Sequence, residues 1–152
     1  MKILLQVFFI GVVLLATSCK SARHALQFRN VSNEIVNFST EGIQLYAEGG
    51  GPQELKNVCH PNIGGGYNVF GPLRLSYPVK VSWESKQSDK KGCQEFMHIP
   101  GIPEGVEKVT EGGVLVVGLT PDFELKVFFV RGDLIDSKLY EQMLKGEVPL
   151  PE

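Results

Sequence analysis

The sequence predicts a mainly β protein, an antiparallel β-sandwich-like domain with one C-terminal helix, and three stretches carry that prediction. Leu73, Leu75, Tyr77, Val79, Val81 and Trp83 alternate with Arg74, Ser76, Pro78, Lys80 and Ser82, the period of a strand with one apolar face. Val114 to Leu119 is a continuous apolar run. After Thr120-Pro121-Asp122, the residues Phe123, Leu125, Val127 and Phe129 alternate with Glu124 and Lys126, which reads as a hairpin whose first strand is buried on both faces. The one stripe of helical period comes last, in Leu139, Tyr140, Met143 and Leu144. Short strands divided by turn signals, with no repeat of fixed period and no second core, predict one domain within 152 residues.

At the amino terminus, Met1 and Lys2 precede Ile3 to Ala16, an uncharged run that is apolar except for Gln6 and Gly11. It falls short of the about 20 residues a membrane-spanning helix needs and has the length of an export signal. The run ends in Leu15-Ala16-Thr17-Ser18-Cys19, and small residues directly before a single Cys resemble the lipobox of bacterial lipoproteins. That resemblance implies cleavage before Cys19, a diacylglyceryl group on its sulfur and acylation of the new amino group. Lys20 stands where Asp would retain a lipoprotein in the inner membrane of a diderm bacterium, which implies the outer membrane, facing the periplasm. The expected organisation is a signal peptide over 1–18, a lipidated Cys19 with a short tether over 19–29, and a single β-rich periplasmic domain over 30–152.

Within that domain, Glu34 to Ser39 and Gly42 to Ala47 read as two short strands joined at Thr40-Glu41-Gly42, a β-hairpin. Gly49-Gly50-Gly51-Pro52 and Gly64-Gly65-Gly66 bracket a stretch without periodicity. Glycines that cradle phosphate need a strand before and a helix after, and neither triplet opens a helix, so loops or bulges are expected. Pro78 cannot donate a ladder bond and predicts a bend, a bulge, an edge or a division into two strands. Ser85 to Gly92, with Lys86, Lys90 and Lys91, reads as a hydrated loop, and Cys93 to Ile99 as a further strand ended by Pro100-Gly101-Ile102-Pro103. Asp136 is placed to cap the helix, with Ile135 stapled to Tyr140 and Gly146 beyond the last turn.

Charge and motifs narrow the function classes. Fifteen Lys and Arg against 17 Asp and Glu give a net charge of −2, without the basic excess of a protein that neutralises nucleic-acid phosphates. The chain has no Gly-x-Ser-x-Gly elbow, His-Glu-x-x-His, phosphate-binding loop or Cys-x-x-Cys, so neither an enzyme nor a cofactor is expected. His24 reads as part of the tether. Cys59, His60, Cys93 and His98 offer the donors of a zinc site, but their spacing is not that of a known finger, and no metal is expected. In an oxidising compartment Cys59 and Cys93 are the candidate disulfide, which would stabilise the domain by about 3 to 4 kcal/mol; two separately buried thiols are the alternative.

The order of a short aromatic-bearing hairpin (Ile35 to Tyr46), a glycine patch with a Cys nearby (Cys59, Gly64 to Gly66), the Leu75 to Trp83 strand and the unit from Val114 through Pro121-Asp122 to Phe129 resembles small bacterial lipoproteins of the domain of unknown function 3304. One departure is that Cys59 stands alone ahead of the glycines. The resemblance implies an immunity protein that binds and inhibits a type VI secreted lipase or phospholipase in the periplasm. A structural or assembly lipoprotein of the envelope is the alternative. Because inhibitors work through loops and acidic groups suit a basic partner, the partner-binding candidates are Gly49, Gly50, Gly51, Gly64, Gly65, Gly66, Asp122, Asp133 and Asp136. Asp122 competes as a turn former, Asp136 as a helix cap, and Trp83 reads as a core anchor.

Overall fold

The computed structural model describes residues 23–46, 52–54, 65–70, 73–132 and 136–152. Among these residues, two sheets and one short helix form a β-sandwich-like fold. The first sheet has the order β4 (Gly65–Phe70), β1 (Arg23–Asn30), β8 (Gly113–Leu119), β9 (Leu125–Arg131). The second runs β3 (Pro52–Glu54), β2 (Val36–Tyr46), β5 (Leu73–Ser85), β6 (Lys91–Phe96), with β7 (Lys108–Val109) on the start of β5. Pairings are antiparallel except β1 with β8, which run parallel with Leu26 opposite Leu115. The helix α1 (Ser137–Leu144) follows.

The main core lies between the sheets. Leu26 and Phe28 of β1, Leu115 and Val117 of β8, and Val127 and Phe129 of β9 meet Phe38 and Ile43 of β2 and Val79, Val81 and Trp83 of β5. A second apolar layer joins the other face of the first sheet to α1: Ala25, Val114, Val116 and Phe128 pack with Tyr140 and Leu144. The continuous run of β8 is thereby explained, since alternate residues serve different layers and every one is buried. Asp136 Oδ1 accepts the backbone N–H of Lys138 and Leu139, each at 3.1 Å. At the other end the N–H of Gly146 donates to Met143 O and that of Glu147 to Gln142 O, the two bonds of a Schellman ending, with Gly146 at φ +74°.

Several expectations are corrected. The hairpin over 34–47 is instead one strand, β2, paired with β5 from Val36 opposite Ser85 to Gln44 opposite Arg74. Gly42 sits at φ +85° where the register breaks between Glu41 and Ile43, and a Cβ there would stand 2.4 Å from Ser76 O; the glycine that signals a turn serves a bulge. Pro78 lies in the matching irregularity of β5, in the interval between the residues paired to β7 and those paired to β6, so its missing N–H leaves no gap in a ladder. The tether over 19–29 is too long: β1 begins at Arg23, with His24 buried beside Phe129 at a ring separation of 6.3 Å. The strand expected over Cys93 to Ile99 ends at Phe96, and Ile99 and Ile102 turn into the core. Phe123 belongs to a turn and not to β9.

Candidate functional site

Among the described residues, three connections meet at the end of the sandwich where β1 finishes. They are the loop 31–35 between β1 and β2, the turn 86–90 between β5 and β6, and the turn 120–124 between β8 and β9. Val31 N donates to Leu119 O at 3.0 Å, and Lys86 N to Ile35 O at 2.8 Å, which holds the first connection to each of the others.

Glu34 ties the first two together. Its carboxylate accepts Lys90 Nζ at 2.7 Å, Ser88 Oγ at 2.6 Å and Ser85 Oγ. The Lys90 ammonium first, and then the two hydroxyls, hold the carboxyl down from an ordinary 4.5 to about 2. Gln87 Oε1 accepts the N–H of Ile35 at 2.8 Å, and Asn30 Nδ2 donates to Glu34 O at 2.7 Å, so the backbone that presents Glu34 is fixed on both sides.

The same lysine reaches the third connection, with Lys90 Nζ 4.2 Å from the centroid of the Phe123 ring. Phe123 stacks on Trp83 at 5.4 Å and 25° between planes. Its backbone stands at φ +63°, an uncommon place for an aromatic residue. The turn is held there by Phe123 N to Thr120 O at 3.1 Å, Thr120 N to Glu124 O at 2.9 Å and Glu124 N to Thr120 Oγ1 at 3.0 Å. Trp83 lies against Gly92, where a Cβ would come within 2.5 Å of Nε1. Below this pair a slot of about 370 Å³ opens between the sheets, lined by Trp83, Gly92, Gln94, Phe123 and Lys126 among others.

The arrangement is a rigid, mixed-charge rim around a part-exposed aromatic ring, with Lys86, Asp89 and Asp122 exposed on it. An aromatic ring on such a surface can supply contact area at low entropic cost, and the charges around it can supply register.

Of the residues expected to bind a partner, Asp122 lies on this rim. Asp136 is spent on the helix cap. Gly65 and Gly66 are strand residues of β4, opposite Phe28 and Gln27. Gly49, Gly50, Gly51, Gly64 and Asp133 lie outside the described residues, as do Cys19, Cys59 and His60. Cys93 is an exposed free thiol on β6. His98 Nε2 stands 2.9 Å from Ile102 O, and among the described residues no group of three His, Cys, Asp or Glu side chains converges. Glu34, Lys90 and Phe123 escaped the sequence reading, which took Glu34 and Phe123 for strand residues and Lys90 for a solvated lysine.

No family model matches the chain, and no curated protein does. Two solved structures share a partial likeness, each at a TM-score of 0.32. One is the NMR structure of a protein from Eubacterium rectale, 13% identical over 78% of this chain and 97% of that one. The other is a disulfide-locked mutant of intermedilysin with human CD59, 8% identical over 73% of this chain and 24% of that one. Among the described residues no helix is long and apolar enough to cross a membrane.

Proposed function

We propose that this chain is a membrane-anchored periplasmic binding protein, tethered through Cys19, whose loop-bearing end engages and inhibits a secreted lipase or phospholipase. The polarity of the fold is the observation that carries the reading. Three residues separate Cys19 from the start of β1, and β1 runs from there to the end where the three tied connections meet. An anchor at Cys19 would set one end of the sandwich against the bilayer and turn the rim of Phe123, Lys90 and Asp122 outward. A protein poised in this way meets a lipid-attacking enzyme at the surface it attacks. The resemblance to the immunity-like lipoproteins supports the class of partner.

Charge reversal on the rim tests it. In capture of a lipase from the producing bacterium by the full chain, Lys86→Glu combined with Asp122→Arg should weaken binding roughly tenfold or more, because both residues are exposed and a like-charge contact at an interface costs several kcal/mol. Lys108→Glu, at the opposite end, should leave binding unchanged. Equal effects of the two reversals would defeat the assignment of the loop-bearing end, and recovery of envelope-assembly proteins in place of a lipase would favour the structural reading.

A further inference from the structure

β6 is the outer strand of its sheet, and among the described residues nothing pairs with its far edge. The direction in which each residue turns its backbone follows from one bond and the register. Ser85 N donates to Lys90 O at 2.8 Å, and the ladder continues with Glu84 opposite Lys91, Trp83 opposite Gly92, Ser82 opposite Cys93, Val81 opposite Gln94 and Lys80 opposite Glu95. Bonded and non-bonded pairs alternate along an antiparallel ladder. Lys90, Gly92, Gln94 and Phe96 therefore bond to β5, while Lys91, Cys93 and Glu95 turn their N–H and C=O groups to the open edge. The side chains of these three residues are also exposed.

Their order is self-complementary about Cys93, with a cation two residues before the thiol and an anion two residues after. We propose that β6 pairs antiparallel with β6 of a second copy of this chain, Cys93 opposite Cys93 and Lys91 opposite Glu95 of the other copy. In that register every outward-facing backbone group of Lys91, Cys93 and Glu95 meets a partner, and each narrow pair exchanges both of its N–H···O bonds. The interface is isologous, so one patch serves both copies and the assembly closes at a dimer.

Charge selects the register. Sliding the strands until Lys91 faces Lys91, or Glu95 faces Glu95, sets like charges opposite one another, and the shorter slips leave a charge facing Cys93. Edge strands commonly carry charge as a guard against pairing. Here the two signs are arranged so that one pairing is attractive.

The thiols make the register measurable. The full chain in non-ionic detergent, carrying Cys59→Ser so that no internal bridge competes, is treated with diamide. One thiol from each copy then gives up a proton and an electron, an S–S bond forms, and the diamide N=N bond is reduced to the hydrazine. A covalent dimer is expected, and none once Cys93→Ser is added. In that Cys93→Ser background, chains with Lys91→Cys and chains with Glu95→Cys should crosslink several-fold faster when mixed than either does alone. Equal rates would show random collision and overturn the register. Sedimentation velocity without oxidant should show a concentration-dependent dimer, weakened roughly tenfold by Lys91→Glu and restored when Glu95→Lys is added. A chain that stays monomeric up to its solubility limit overturns the proposal. Both charged residues are exposed, so these variants fold, and unchanged far-UV circular dichroism confirms it for each sample.

Discussion

Glu34 is held as a carboxylate by groups that come from a different part of the chain, and its ionisation is therefore linked to folding. Its folded pKa, about 2, lies below the roughly 4.3 of an unfolded glutamate. A depressed pKa contributes stability that is fully present above the unfolded value and is lost as the pH falls through the folded one, so the loss belongs between about pH 4.5 and pH 2. Urea midpoints should fall across that window, and Glu34→Gln should flatten the fall while costing stability at pH 7; an unaltered pH profile in the variant would remove Glu34 from the account. This cluster was the least legible part of the sequence. Glu34 meets Ser85, Ser88 and Lys90 only after the sheet has paired Val36 with Ser85. No local pattern encodes such a meeting. Phe123 was hidden differently: it stands in phase with Leu125, Val127 and Phe129, and alternation says nothing of a left-handed backbone angle. Asp122 was legible as a turn residue because turn chemistry is local.

Where a pattern does report burial, whole elements were readable. The alternation of β5, the doubly buried run of β8 and both ends of α1 follow from local residues, since strand faces repeat every two positions and a cap needs only its own first or last turn. The bulge in β2 was not, because Gly42 has the same meaning to the eye in a hairpin turn and in a bulge. Packing between elements shows at Gly118 of β8, on the face covered by the helix, where an added Cβ would stand 2.4 Å from Leu144 Cδ2. Gly118→Ala should therefore push α1 away from the sheet and cost about 1 to 3 kcal/mol. In a Leu144→Ala background the same change should cost much less, since the opposing methyl groups are gone. A double-mutant cycle by chemical denaturation measures that coupling, and simple additivity would place the clash elsewhere.

Across the whole molecule, the proposed anchor and the proposed partner surface stand at opposite ends, and so they should separate experimentally. Cys19→Ala, exported behind a working leader, should bind its partner in solution with unchanged affinity, because β1 starts at Arg23 and the core residues follow from Ala25 onward. Protection of cells challenged by the lipase should fall at matched periplasmic levels, since local concentration at the bilayer is lost. Loss of binding in solution would place the amino-terminal segment in the interface, and full survival would make the anchor dispensable. The parallel pairing of β1 with β8 has a consequence in time. Leu26 and Phe28 are among the first core residues to be synthesised, yet their neighbours Leu115 and Val117 arrive only with the last third of the chain. Contacts so distant in sequence are slow to close. Until β8 has been made, β1 has only β4 beside it, and in a growing or truncated chain Leu26 and Phe28 lack their β8 neighbours. Completion of the first sheet therefore waits for one strand made late in the chain.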